Sequence, residues 1–143
     1  MFSFFKKKVF QPNFPIIDLS ASPEEVFEVL AAFGEVKAVD SNERDIDLEY
    51  ACEANGTRIS VGFKAKIVSY VNYLTDHFNS SAKQRAEKLN WFLTYYGGLK
   101  DFEEPVDTGY MIFFHNPNRN LSVVFGLHKG PIRINNHADN AKR

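Results

Sequence analysis

Four histidines, one cysteine and two clusters of carboxylates are the residues in this chain whose types could do chemistry. Local spacing brings none of the histidines together. His77 directly follows Asp76, and neighbours along a helix do not face each other. His115 and His128 fall on one face of a predicted hairpin, six ladder positions or about 20 Å apart, too far to share a metal. His137 lies in a polar tail. A histidine site would have to be assembled by tertiary contacts, and solvated or packing histidines are the simpler reading. Cys52 sits on the apolar side of a predicted strand, where a thiol behaves as a small hydrophobe. A single cysteine forms no intrachain disulfide and builds no Cys-rich zinc site. Phosphate-loop, HExxH, GxSxG and EF-hand patterns are absent, and Gly97-Gly98 follows a helix rather than opening one. No catalytic residue, metal or cofactor is expected.

The carboxylates are more informative. Asp45, Asp47 and Glu49 share one face of a strand at spacings of about 7 Å, which would suit acid–base work. In the predicted hairpin Lys64 faces Asp47 and Arg58 faces Glu53, so a cross-paired, solvated face is the simpler account. Segment 40–53 holds six acidic residues against one arginine, and segment 100–107, with Asp101, Glu103 and Glu104, holds four against one lysine. Positive charge lies elsewhere, at Lys6–Lys8, Lys129, Arg133, Lys142 and Arg143. The formal net charge of −1 therefore hides a polarised distribution. If the fold joins the two acidic segments, Asp45, Asp47, Glu49, Asp101, Glu103 and Glu104 form a negative surface for a basic partner.

The elements that must position these residues are legible in part. Ser22 and Glu25, with Pro23 at the first helical position, form a capping box that opens a helix ended at Gly34. Residues 35–40 are a short strand candidate. Segment 45–53 alternates, and Asn55-Gly56 predicts a type I′ hairpin. That turn sets Glu53 opposite Arg58, Cys52 opposite Ile59, Tyr50 opposite Val61, Leu48 opposite Phe63 and Asp47 opposite Lys64. In 66–79, Ile67, Tyr70, Val71, Leu74 and Phe78 recur at helical spacing, which predicts a helix despite β-branched content. Ser81 and Gln84 form a second capping box. It opens a helix with Ala82, Ala86, Leu89, Leu93 and Tyr96 inward and Trp91 largely buried. Strands 109–116 and 121–128 flank a turn at 117–120, and 132–134 is a further short strand. The second hairpin is apolar on both faces, as in a central strand pair or one bearing an interface.

These elements predict one α+β domain over residues 1–143. It has antiparallel hairpins, an N-terminal helix, a central helical pair, a short extension at 1–13 and a frayed polar tail at 135–143. With 44% hydrophobic and 24% charged residues the composition is globular, and the acidic balance disfavours bulk nucleic-acid binding. No apolar run approaches the ~18 residues of a membrane span, so no stable membrane insertion is expected. Phe2, Phe4 and Phe5 beside Lys6–Lys8 lack the order of a signal peptide. That order and the lone cysteine fit a cytoplasmic protein. The leading expectation is a small protein-binding or inhibitory module, of the toxin-immunity kind, that neutralises a basic partner such as a nuclease. Twenty-one aromatic residues would supply interface anchors. The alternatives are a small-ligand carrier lined by Trp91, Tyr95, Tyr96, Phe113 and Phe114, and an enzyme with a carboxylate or histidine site.

Overall fold

Ser22 opens the first helix as its spacing to Glu25 predicts. Glu25 N–H donates to Ser22 Oγ at 3.1 Å, and Ser22 N–H donates to Glu25 Oε1 at 3.0 Å. The helix, α1, runs Pro23–Phe33 and buries Val26 and Leu30. The computed structural model describes residues 12–75, 81–126 and 131–137.

Four strands follow α1: β1 (Val36–Val39), β2 (Leu48–Ala54), β3 (Thr57–Lys64) and β4 (Ile67–Thr75). Asn55 and Gly56 take φ of 54° and 76°, the positive values a type I′ turn requires. The register of β2 with β3 is the one the turn dictates, from Glu53 opposite Arg58 to Leu48 opposite Phe63.

Segment 67–75 is the first correction. It is strand β4 and not a helix. A register shift between Gly62 and Phe63 pairs Phe63 with Val68 but Gly62 with Tyr70, so Ser69 is an extra residue in β4. The extra residue breaks strict alternation, and apolar positions on two sheet faces then mimic a helical period. Residues 76–79 lie outside the described residues, as do His77 and Phe78.

Helix α2 (Ala82–Tyr95) opens with the Ser81/Gln84 capping box. Its buried face differs from expectation. Lys88, Phe92 and Leu93 are buried, Ala82 and Ala86 are exposed, and Leu89 and Trp91 are half-buried. Lys88 enters the interior because its ammonium reaches Thr75 Oγ1 at 2.6 Å. Trp91 lies flat on Tyr95 instead, with centroids 5.4 Å apart. The central helical pair is thus one strand and one helix.

A 3-10 turn at Leu99–Asp101 leads to β5 (Val106–Asp107), β6 (Met111–Asn116), β7 (Leu121–Gly126) and β8 (Ile132–Asn136). Ile112 opposite Phe125, Phe114 opposite Val123 and His115 opposite Ser122 confirm the predicted hairpin register. Leu127 and His128 lie outside the described residues. The tail reading needs correction at its start: Asn135 and Asn136 belong to β8, and His137 N–H donates to Asn120 O at 2.8 Å. Asn135 pairs with β4 and β7, Asn136 pairs with β7, and Asn136 Nδ2 donates to Val68 O at 2.8 Å.

The eight strands among the described residues form one antiparallel sheet in the order β1-β2-β3-β4-β8-β7-β6-β5. Two meanders, β1–β4 and β5–β8, therefore meet at a β4–β8 seam, in an α+β fold. Both helices cover the same face. Val26, Leu30, Phe92 and Leu93 join Ile59, Val61, Tyr73, Val123, Ile132 and Ile134 in one apolar core. Phe14 and Ile17, from the entry segment, close it, and Ile17 N–H donates to Tyr73 Oη at 2.9 Å.

Candidate functional site

The other sheet face carries no helix among the described residues. The strand registers place side chains on it in rows. One row reads Val39, Glu49, Gly62, Tyr70, Asn135, Ser122, His115. The next reads Lys37, Ala51, Ser60, Asn72, Arg133, Val124, Phe113, Val106 and spans all eight strands.

Gly62 organises the first row. A Cβ there would sit 2.3 Å from Tyr70 Cε2, so glycine alone lets the Tyr70 ring lie across β3. The ring reaches over to β2, where its hydroxyl bonds the Glu49 carboxylate, with Ser41 Oγ 3.0 Å away. Burial, then the Glu49 carboxylate, push the Tyr70 phenol well above its ordinary pKa. Arg133 covers the ring, its guanidinium carbon 4.1 Å from the centroid. The same guanidinium makes a bidentate pair with Glu43, at 2.6 and 2.5 Å, and donates to Asn135 Oδ1 at 2.8 Å. Through Ser41 and Glu43 the β1–β2 connection is strapped onto this face.

The row continues to β6. Ser122 Oγ lies 3.0 Å from His137 Nε2 and 3.4 Å from Asn135 Nδ2. The His137 and His115 rings meet edge to face at 5.9 Å, and His115 Nδ1 lies 2.6 Å from Glu103 Oε1. Sequence reasoning missed this assembly. The hairpin register already set His115 opposite Ser122; what it lacked was β8 extending past Ile134 to bring in His137. A hydroxyl beside an imidazole, with a second imidazole held by a carboxylate, has the parts of a proton relay. Here the parts satisfy one another along the sheet. Among the described residues no group of three or more His, Cys, Asp or Glu side chains is arranged to hold a metal ion.

The six carboxylates of the expected acidic surface divide into two groups. Glu49 and Glu103 share the open face, but β2 and β6 are five strand spacings apart, about 24 Å. Asp45 and Asp47 flank the β2 side, while Asp101 and Glu104 flank the β6 side. Asp47, Glu49 and Glu103 have internal duties. Asp47 Oδ2 accepts from Ala65 N–H at 2.6 Å and so braces the β3–β4 turn rather than answering Lys64. Glu49 is half-buried under Tyr70 and accepts from its hydroxyl. Glu103 holds His115. Asp45, Glu104 and Asp101 stand at the surface, the last half-exposed.

Beside Glu103 and Glu104 the open face turns apolar. Val106, Tyr110, Met111 and Phe113 are 61, 76, 43 and 38% exposed. The second hairpin is thus apolar on both faces, as expected, with β7 buried and the outer side of β6 left bare. Cys52 is buried on the helix side, its Sγ 3.3 Å from Leu30 O, and burial raises its thiol pKa.

A cavity of about 490 Å³ opens at one end of the helix side. Tyr95 and Tyr96 line it, as the carrier reading expects; Trp91, Phe113 and Phe114 do not. No helix among the described residues is long and apolar enough to cross a membrane. No family model, curated protein or solved structure matches this chain.

Proposed function

We propose that this chain is a protein-binding module that receives a basic partner on the β5–β6 flank of its open sheet face. One observation carries the reading. Four large apolar side chains, Val106, Tyr110, Met111 and Phe113, stand exposed on two adjacent strands and the turn between them, beside the carboxylates of Glu103 and Glu104. Bare apolar surface with a charged rim is the anatomy of a docking site, in which aromatic residues anchor and rim charges speed encounter. Asp45, exposed in the connection that precedes β2, extends the negative field. An inhibitor of a basic nuclease, acting in the cytosol as a toxin-immunity protein does, is the form of this reading in which carboxylates take positions built for phosphates.

The experiment is capture from native lysate at two salt concentrations by the wild type, by Phe113→Ser and by Glu104→Lys. Both substitutions lie on exposed positions, and circular dichroism checks that each variant is folded. A basic protein retained by the wild type, lost by Phe113→Ser and bound more slowly by Glu104→Lys supports the reading. Equal retention by all three removes this flank as the contact.

A further inference from the structure

We infer that the cavity at the end of the helix side is a binding site for a small monocarboxylate with an apolar body. Its position and chemistry are independent of the open face. With a volume of about 490 Å³ it falls in the range of small-molecule sites. Four separate parts of the chain build its apolar walls: Leu19 from the entry segment, Ile67 at the start of β4, Tyr95 at the end of α2 and Leu121 at the start of β7.

Two of the polar groups around it are already engaged. The Tyr96 hydroxyl donates to Ile17 O at 2.8 Å and lies 2.6 Å from Tyr73 Oη. Asp18 Oδ1 accepts from the N–H and the hydroxyl of Ser20 at 2.8 and 2.7 Å. Arg119 is different. Its backbone N–H is fixed by Asn116 Oδ1 at 3.1 Å, and its stem lies close to Gly97, yet its guanidinium makes no ion pair with any described residue. A planar cation at the edge of an apolar cavity matches a carboxylate in two parallel hydrogen bonds. Asp18 on the same lining opposes a second negative charge, which favours a monoanion over a phosphate ester.

Tyr95 supplies the readout. It lines the cavity and stacks on Trp91, the only tryptophan, so an occupant alters Trp91 emission. The probes are 3-phenylpropionate, 3-phenylpropanol and 3-phenylpropylamine, titrated by fluorescence and by calorimetry. The acid should bind about tenfold more tightly than the alcohol, and the amine more weakly than either. Arg119→Met should abolish the preference for the acid while leaving the melting temperature unchanged. Ile67→Trp, which fills the cavity from a half-buried position, should abolish binding of the acid and the alcohol alike. Failure of the acid to bind at millimolar concentration overturns the proposal. So does equal binding of all three probes, or an acid preference that survives Arg119→Met.

Discussion

A missing side chain does as much at residue 62 as any group that is present. With no Cβ in the way, Tyr70 crosses β3 and joins Glu49 to the seam arginine. Gly62→Ala should push the ring off the sheet and cost about 1–3 kcal/mol in denaturant unfolding. Tyr70→Phe keeps the packing but leaves Glu49 without its donor, and should cost about 1–2 kcal/mol. If the two losses share a cause, the double variant will be less destabilised than their sum. A second residue-scale expectation concerns alkali. Burial raises the phenol pKa of Tyr73 and Tyr96, as it does that of Tyr70. Above the ordinary tyrosine value of about 10 the unfolded chain loses phenolic protons that the folded chain keeps. Stability present below that pH is therefore lost as pH rises. Phenolate absorbance should report these three of the six tyrosines ionising only together with the loss of far-ultraviolet dichroism. None of this was legible in the sequence, where Gly62 carried no turn signal and Tyr70 was read as one stripe of a helix.

Element by element, legibility tracks how local the deciding physics is. The two capping boxes depend on residues three apart and the Asn55-Gly56 register on an adjacent pair, and all three were readable. The β4 strand was not, because one bulge at Ser69 is a property of the pair β3–β4 and not of either segment. The tail was misread for a related reason: nothing in Asn135-Asn136 signals a strand until two neighbours offer it their edges. The tight turn joining β3 to β4 also hid itself. Ala65 and Lys66 both take positive φ, 49° and 66°, without glycine or asparagine. Each such residue costs on the order of 1–2 kcal/mol relative to one at ease there. Replacing the pair with Asn-Gly should raise the denaturation midpoint by the equivalent of about 1–2 kcal/mol. By contrast Gly56→Val, which forces a β-branched residue into positive φ, should lower stability by on the order of 1–2 kcal/mol. An unchanged midpoint in either variant would mean that the turn relaxes to another geometry. Of the candidate site, the apolar outer side of β6 was legible from alternation. The separation of the two acidic segments was not, since it depends on strand order.

At the scale of the molecule, one seam decides whether the sheet is one object. Among the described residues four pairs join β4 to β8, from Tyr70 with Asn135 to Tyr73 with Ile132. The core crosses that seam, because Val71 and Tyr73 pack with Ile132 and Ile134. Amide exchange should therefore show β4 and β8 opening only with the whole fold. Weaker protection across one entire meander would instead reveal two cooperative units. The seam also separates the two acidic flanks, so a partner that touched both would have to span most of the sheet. The strand order has a further consequence. Strands β1–β4 and strands β5–β8 are contiguous in sequence as well as in space, and the described residues between Thr75 and Val106 contribute no strand to the sheet. A chain cut between β4 and α2 would leave every strand-to-strand hydrogen bond intact, with the seam converted from an intramolecular pairing into a dimer interface. Co-expressed as two polypeptides, the halves would then report their own encounter, and the protein would serve as a split sensor whose signal is the closing of its own sheet.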